Sequence, residues 1–349
     1  MKPLVITALG ETAGKTAIAV GLAMQWQQVG RRIAYLKPRF RPAAAGEDQD
    51  AAFFLQALAL PAGATASPAI GSQSGQDNPA AFGQEVSRAA EAMAPADLLL
   101  VETEGQLEDQ AVRERVLDTL SALDAKALLV VRYQQHLAAE LVRQHAETLG
   151  DQLGGIVLNA VPTRMINYVR EQVESPLRET GLPMLGILPE TRALSGFTVG
   201  ELTDHLHAEV LCLPEQRETL LENLMIGANP PDPAFNYFAP SQNKAVICRA
   251  DRPDIQLAAL DTTTRCLVLT GTGGVQTSLV YRAEDEGVTV IKVPTDTIAT
   301  VERLTGLVEQ IRFRQQKKVL IMTALLTQHF DVQGLSQALN VPELEVAGA

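Results

Sequence analysis

The start of the chain is the feature that most limits how it can fold. An apolar run at residues 4–6 is typical of a buried strand, and the turn-forming stretch 10–14 follows it. Lys15 and Thr16 then begin an amphipathic pattern that predicts a helix to about residue 29. A strand, a glycine-bearing loop and a helix in this order make a P-loop, in which loop N–H groups and the helix N-terminus converge on a phosphate.

A P-loop gives its lysine and its hydroxyl residue separate tasks. We expect Lys15 to reach the β- and γ-phosphates and the Thr16 hydroxyl to ligate Mg²⁺. The full G-x-x-x-x-G-K-[ST] pattern has a glycine where this chain has Leu9, so a plain strand–turn–helix with a surface lysine is the alternative. The predicted binding residues for a nucleotide, ATP, are Gly10, Glu11, Thr12, Ala13, Gly14, Lys15 and Thr16.

Polar residues at the ends of later strands supply further candidates. Lys37 ends the second predicted strand, and open α/β sheets bind ligands at the carboxyl ends of their strands. Asp48 and Asp50 precede a predicted helix, where they either favour the helix start or complete a Mg²⁺ shell through water. Glu102 follows four apolar residues, and we expect it to bind Mg²⁺ or to position a water, a solvated turn being the alternative.

Asn159 ends another predicted strand, where it either forms a turn or recognises a nucleotide base. The predicted catalytic residues are Lys15, Lys37 and Glu102. The predicted metal ligands are Thr16, Asp50 and Glu102.

The alternation of buried strands with helices predicts an α/β fold. Strands separated by helices form a mainly parallel, doubly wound sheet. A cluster of turn residues at 229–233 separates this pattern from a second, smaller α/β pattern. We therefore predict a P-loop nucleotide-binding domain at residues 1–212 and a smaller α/β domain at residues 220–349.

Composition excludes several classes of function. The net charge of −12 argues against nonspecific binding to nucleic acid or to an anionic membrane. The three cysteines have no metal-ligand spacing, no apolar run is long enough to span a bilayer, and no signal-peptide pattern is present. We expect a cytoplasmic protein with reduced thiols. The basic run at residues 312–318 predicts a solvated helix end or a docking place for an acidic partner.

The first 210 residues or so resemble the dethiobiotin-synthetase-like P-loop domain, which also forms the N-terminal part of long bacterial phosphotransacetylases. That resemblance implies ATP, Mg²⁺ and substrate contacts for Lys37 and Glu102. One departure is Thr103 with Glu104 beyond it, where dethiobiotin synthetases have glycine after the glutamate. The matching residues are Gly14-Lys15-Thr16, Lys37-Pro38, Asp48 and Asp50, Val101-Glu102, 155–159 and 186–190.

The second half is similar to the DRTGG domain, although the five letters of that motif do not occur. The matching stretches are residues 247–260, 266–271 and 290–300. Together the two resemblances identify a phosphotransacetylase-like chain without the acetyl-transferring domain, so we expect no acetyltransferase activity of its own.

Three functions stay open at this point. The first is a regulatory or sensing ATP/Mg²⁺-binding protein with slow or no hydrolysis, whose C-terminal domain binds a protein partner or a small ligand. No arginine is singled out by its spacing as a partner for the transferred phosphate. The second is a ligase that activates a carboxylate or carbamate with ATP. The third is a non-catalytic interaction scaffold, and homo-oligomerisation is left open for all three.

Overall fold

The computed structural model describes residues 1–38, 49–61, 63–66, 79–228, 231–310 and 313–341. The chain forms two compact units, Met1–Glu190 with Phe313–Ala349 and Thr191–Arg312. This division differs from the predicted boundary, because residues 191–212 lie in the second unit and residues 313–349 return to the first. We call these the first and the second unit.

The first unit contains a sheet of seven parallel strands, in the order β3-β2-β4-β1-β5-β6-β7. The predicted doubly wound, mainly parallel sheet is therefore confirmed. The strands are β1 (Lys2–Leu9), β2 (Ile33–Leu36), β3 (Thr65–Ala66), β4 (Leu98–Glu102), β5 (Lys126–Arg132), β6 (Leu153–Val161) and β7 (Met184–Pro189).

Helices of the first unit follow its strands. They are α1 (Lys15–Gln28), α2 (Gln49–Ala57), α3 (Pro79–Glu91), α4 (Gln110–Leu123), α5 (Ala139–Leu149), α6 (Ile166–Val169) and α7 (Ser175–Glu179), with a π-helical turn at Arg170–Glu174 and 3₁₀ turns at Gly150–Gln152 and Thr163–Met165. One face of the sheet forms a core with α3, α4 and α5, into which alternate residues of β1, Val5 and Leu9, are buried. A doubly wound sheet has helices on both faces, so both sides of each strand are buried, and this accounts for the apolar strand sequences.

The second unit has a five-stranded sheet of order β11-β12-β13-β14-β9, in which β9 alone is antiparallel to its neighbour. The strands of the five-stranded sheet are β9 (Glu209–Cys212), β11 (Asn223–Ile226), β12 (Lys244–Arg249), β13 (Thr264–Thr270) and β14 (Thr289–Val293), and β8 (Phe197–Thr198) and β10 (Leu220–Leu221) form a separate antiparallel pair. Its helices are α8 (Arg192–Ser195), α9 (Val199–Leu206), α10 (Pro231–Phe238), α11 (Pro253–Leu260), α12 (Thr277–Asp285) and α13 (Thr297–Gln310), with a 3₁₀ stretch at Pro214–Glu218.

Helices cover both faces of this second sheet. Apolar residues of α10, α11 and α12 share one core, and those of α9 and α13 share the other. The Lys244 side chain is fully buried at the start of β12, where its ammonium donates to the Ser241 carbonyl at 3.0 Å. Burial lowers the pKa of Lys244 to about 8.

The C-terminal segment completes the first unit with α14 (Gln316–His329) and α15 (Val332–Ala338). Helix α14 packs along α1, where the absence of a side chain at Gly21 makes room for it. A Cβ at Gly21 would lie 2.6 Å from Leu326 Cδ1 and 2.9 Å from Met322 Cγ. Burial of these apolar side chains against α1 is the physical reason that α14 belongs with the first unit.

No helix in the described ranges is both long and apolar enough to span a bilayer.

Candidate functional site

The loop between β1 and α1 has the backbone conformation that its sequence requires. Gly10 and Gly14 have φ of +89° and +90°, and Thr12 also has positive φ. Gly14 immediately precedes α1, and a Cβ there would lie 2.5 Å from Asn159 Nδ2. Glycine is thus needed at residue 14 for both its dihedral angle and its space. The loop turns sharply into the helix N-terminus, as predicted for this stretch.

The Lys15 side chain lies within the site rather than in bulk solvent. Its ammonium donates to the carbonyl oxygen of Gly105 at 2.7 Å. Burial lowers the pKa of Lys15, and the Glu102 carboxylate acts in the opposite direction. The ammonium therefore has a neutral hydrogen-bond partner from the loop that follows β4.

The Glu102 carboxylate occupies the centre of the site. It ends β4, which is hydrogen-bonded to β1, and only 3% of the residue is exposed. The Thr16 hydroxyl donates to Glu102 Oε1 and the Tyr35 hydroxyl donates to Oε2, both at 2.7 Å. Tyr35 is itself fixed because its ring stacks on that of Phe54, with centroids 4.0 Å apart. Two hydroxyl groups therefore fix the orientation of this carboxylate.

Lys37 and Asp50 extend the cluster. Lys37 Nζ lies 2.5 Å from Asp50 Oδ2 and 3.3 Å from Glu102 Oε1. Arg314 Nε donates to the other Asp50 oxygen, Oδ1, at 2.9 Å. Burial raises the pKa of Asp50, but the two cations outweigh it and hold that pKa below its usual value. Asp50 is therefore an ionised carboxylate held between a lysine and an arginine.

Asn159 contacts the loop between β1 and α1. Its Nδ2 donates to the Ala13 carbonyl at 2.8 Å, and its Oδ1 accepts from the Ala160 N–H at 2.9 Å. Asn159 thus braces the loop in this structure, and recognition of a base by this residue stays a prediction.

Two other side chains hold the loop. The Gly10 N–H donates to Glu108 Oε1 at 2.8 Å, and the Arg132 guanidinium donates to the Thr12 carbonyl at 3.1 Å. The Glu11 side chain is exposed. The loop is therefore held in place by one side chain from the segment after β4 and one from the last residue of β5.

The structure brings together the candidates Lys15, Thr16, Lys37, Asp50 and Glu102, whereas Asp48 lies outside the described residues. Sequence reasoning missed two residues that contact them. Tyr35 could have been found, because it lies two positions before Lys37 on the predicted strand, and alternate residues of a strand share a face.

The other missed residue, Arg314, belongs to the basic run 312–318 that was predicted to be a solvated helix end or a docking place. Arg314 instead pairs with Asp50 inside the first unit, and Lys318 is fully buried. Arg314 and Asp50 are 264 positions apart in the sequence, so no local pattern indicates that they pair.

The cluster could hold a small divalent cation only with help from a ligand. In the described part of the chain, no group of three or more His, Cys, Asp or Glu side chains is placed to bind a metal. Thr16 and Glu102 offer one hydroxyl and one carboxylate. Mg²⁺ usually keeps waters and binds one or two carboxylates together with substrate phosphates, so this donor set fits a phosphate-bound Mg²⁺.

Known proteins with a similar sequence cover both units. One curated relative, a phosphate acetyltransferase of Deinococcus radiodurans, is 23% identical over 98% of this chain and 52% of its own length. An ATP-dependent dethiobiotin synthetase BioD of Saccharopolyspora erythraea is 29% identical over 58% of this chain and 93% of its own length. The chain therefore spans about half the length of the phosphate acetyltransferase and nearly all of the synthetase.

Among solved structures, the MinC:MinD cell division protein complex of Aquifex aeolicus has a TM-score of 0.37 and 15% identity, covering 56% of this chain and 83% of that one. Family models are more informative about this sequence. One described as an AAA domain matches residues 2–198, and one described as a DRTGG domain matches residues 201–307. This protein therefore belongs to the P-loop family of that AAA domain, and it carries a DRTGG domain after the P-loop domain.

Proposed function

We propose that the first unit binds ATP together with Mg²⁺ and that the protein acts as a regulatory or sensing nucleotide-binding protein. The observation that carries this proposal is the position of Lys15, Thr16 and Glu102 around the loop between β1 and α1. A helix N-terminus, an ammonium and a hydroxyl–carboxylate pair at one loop suit a triphosphate and its metal ion.

Lys15 is suited to bind a phosphate because its present partner is a neutral carbonyl oxygen. Replacing the Gly105 oxygen by a phosphate oxygen would strand no buried carboxylate. A phosphate would also give the half-buried ammonium a charged partner, and charge-assisted hydrogen bonds are the stronger ones. We therefore assign Lys15 to the β- and γ-phosphates.

Thr16 and Glu102 are the residues that would hold the metal, directly or through water. When bound there, Mg²⁺ supplies positive charge to the phosphate oxygens. Tyr35 keeps the carboxylate in place from the other side. Asp50 is already paired with two cations, so we assign it an outer role, through Lys37, rather than a direct metal bond.

Slow or absent hydrolysis follows from the same contacts. Glu102 accepts hydrogen bonds from Thr16 and Tyr35 and lies 3.3 Å from the Lys37 ammonium. A carboxylate with these partners has little capacity left to accept a proton from water. A site that binds ATP and hydrolyses it slowly suits sensing better than rapid turnover.

Calorimetric titration of the 349-residue protein with ATP and Mg²⁺ tests the proposal. We expect one saturable site and at least a tenfold loss of affinity in Lys15→Ala, because a hydrogen bond to a charged group contributes about 1.5–3 kcal/mol. Lys126→Ala is the matched control. Lys126 begins β5, whereas Arg132 at the other end of β5 contacts the loop, and the Lys126 ammonium also donates to a backbone carbonyl, that of Asp151. Equal affinities in the two variants, or no binding to the unmodified protein, would leave only a scaffold role.

A ligase is the second candidate, favoured by the alignment with nearly the whole dethiobiotin synthetase. In that case Lys37 would neutralise charge on an activated carboxylate or carbamate. The test is phosphate release from ATP with and without a panel of amino-carboxylates. Release that is stimulated by one of them, and that is lost in Lys37→Ala, would favour the ligase over the sensor.

A further inference from the structure

The second unit contains a cleft that the proposed function does not use. It has a volume of about 570 Å³ and lies where β12, β13 and β14 end. An adjoining cleft of about 370 Å³ shares Gly271 and Thr272 with it. Ligand sites commonly have volumes of roughly 300–1,000 Å³, so the space suits a molecule of nucleotide size. The lining of the larger cleft comprises Arg249, Asp251, Thr270, Gly271, Thr272, Gly273, Asp296, Thr297 and Ile298.

The course of the chain explains why a cleft forms at this edge. Helix α12 leaves β13 and packs into the core of α10 and α11, on one face of the sheet. Helix α13 leaves the neighbouring β14 and packs with α9 on the other face. Connections that leave adjacent parallel strands towards opposite faces open a crevice at the carboxyl ends, which is where open α/β sheets bind ligands.

The loop from β13 to α12 exposes backbone donors at this crevice. Within the described ranges, the N–H groups of Thr272, Gly273 and Gly274 donate to no protein acceptor. Packing does not require glycine here, since a Cβ at Gly274 would meet nothing within 4 Å and one at Gly273 only ordinary contacts of 3.6 Å and more. Neither glycine has positive φ. Glycine at both positions leaves this backbone open to close approach by a ligand.

Charged groups flank the loop on both sides. Lys292 of β14 lines the smaller cleft together with Glu209, which lies opposite it on β9, and the described residues show no ion pair between these two side chains. Arg249 ends β12 and is paired with Asp251, with Nε 2.9 Å from Oδ1. Asp296 uses Oδ1 to accept from the Ala299 N–H at 2.8 Å. The loop N–H groups and Lys292 therefore suit a phosphate, and Arg249 can join them by giving up an exposed ion pair, which contributes little to stability. The Asp251 and Asp296 carboxylates can then accept hydrogen bonds from hydroxyl groups.

The residues that resemble the DRTGG domain converge here. Each of the three matching stretches, residues 247–260, 266–271 and 290–300, contributes to the lining of the larger cleft. The Thr270 and Thr297 hydroxyls, from two of these stretches, are hydrogen-bonded at 2.8 Å and tie the end of β13 to the start of α13. The cleft is thus built by the sequence features that distinguish this unit.

We propose that this cleft binds a phosphorylated small molecule that carries hydroxyl groups, such as a mononucleotide. Its phosphate contacts the N–H groups of the loop 272–274 together with Lys292 or Arg249, and its hydroxyls donate to Asp251 or Asp296. The site lies within the second unit, and it identifies the small ligand of a sensing protein as a phosphate ester. It does not depend on nucleotide binding at Lys15.

Calorimetry on the full chain carrying Lys15→Ala tests the site without a contribution from the P-loop. The probes are AMP, ribose 5-phosphate and inorganic phosphate. We expect saturable binding of AMP and ribose 5-phosphate, weaker binding of inorganic phosphate, and slower amide exchange at residues 271–276 on binding. Arg249→Gln should weaken AMP binding about tenfold or more, the value expected for one lost charge-assisted hydrogen bond. Gly273→Val should also weaken it, because the valine side chain would obstruct the approach of the phosphate to the loop N–H groups.

Arg265→Gln is the matched control, because Arg265 is an exposed arginine near the other end of β13 and should leave the affinity unchanged. Unaltered affinity in both cleft variants would overturn the proposal, as would the absence of binding at millimolar concentrations. Binding to the unmodified protein that disappears in Lys15→Ala would place the probe at the P-loop and would also overturn it. Failure of ATP to bind the unmodified protein concerns the first unit alone.

Discussion

Replacing Arg314 by glutamine tests whether the C-terminal segment contributes to the site of the first unit. Arg314 Nε lies 2.9 Å from Asp50 Oδ1, and the two side chains are 31% and 19% exposed. An effective dielectric constant of 20 gives a gross attraction of roughly 6 kcal/mol at this distance, most of which desolvation offsets. Exposed pairs contribute about 0–1 kcal/mol, and breaking a buried pair costs about 3–5 kcal/mol.

The Arg314–Asp50 pair lies between these limits. Lys37 remains 2.5 Å from Asp50 in the variant, so the carboxylate is not left unpaired. We therefore expect Arg314→Gln to lower the free energy of unfolding of the first unit by about 1–2 kcal/mol. Arg143→Gln is the control, because Arg143 forms only exposed pairs on α5 and its loss should cost about 0.5 kcal/mol or less.

Urea unfolding followed by tryptophan fluorescence measures this effect. The chain has one tryptophan, Trp26, which is fully buried in α1 and therefore reports on the first unit. Combining Arg314→Gln with Asp50→Asn in a double-mutant cycle isolates the pair from other contacts of the two residues. A coupling free energy below about 0.3 kcal/mol, within the usual error of additivity, would refute the reasoning.

Two other predictions concern packing and buried charge. Gly21→Ala should lower the melting temperature although alanine favours helix by about 1 kcal/mol, because the added Cβ would lie 2.6 Å from Leu326 Cδ1. Adding Leu326→Ala removes that contact, so the second substitution should cost much less in the Gly21→Ala protein than on its own. A higher melting temperature for Gly21→Ala alone would contradict this packing. Lys244→Met should stabilise the second unit at pH 7 by at most about 3 kcal/mol, because folding lowers the pKa of this lysine from 10.5 to about 8. Between those pH values the unfolded state binds more protons, so the native protein gains stability as pH rises and the advantage of methionine should fade towards pH 10.5. Urea unfolding at pH 7 to 10.5 measures this change. A stability difference between the two proteins that does not vary with pH would be evidence against a lowered pKa of the buried lysine.

Sequence alone could predict the part of the site that strands carry. Lys37 and Glu102 each follow an apolar run and Lys15 begins the helix after the first such run, and the carboxyl ends of parallel strands meet at one edge of the sheet. Register then places Glu102 beside Ile6 of β1, within reach of the Thr16 hydroxyl. The strand pattern contains this information because alternation and strand direction are local properties of the sequence.

The C-terminal contribution could not be predicted in this way. The pattern of α14 shows an apolar side but not which surface covers it, and Gly21 gives no sign that it faces a second helix. The turn cluster at 229–233 and the change of pattern there suggested one boundary, between residues 212 and 220, whereas the chain leaves the first unit after Glu190 and returns at Phe313. Non-local pairing of this kind depends on complementary shapes, which a single sequence does not display.

The charges around the P-loop explain how an acidic chain could hold a triphosphate. Lys37 and Arg314 are both committed to Asp50, so this carboxylate is neutralised within the protein and does not oppose an incoming anion. Lys15 is different, because its hydrogen-bond partner is the neutral Gly105 carbonyl. An anion that replaces this carbonyl gains a charged partner without breaking an ion pair. The net charge of −12 therefore has little bearing on this site, since the short-range partners of one ammonium decide whether phosphate is bound there.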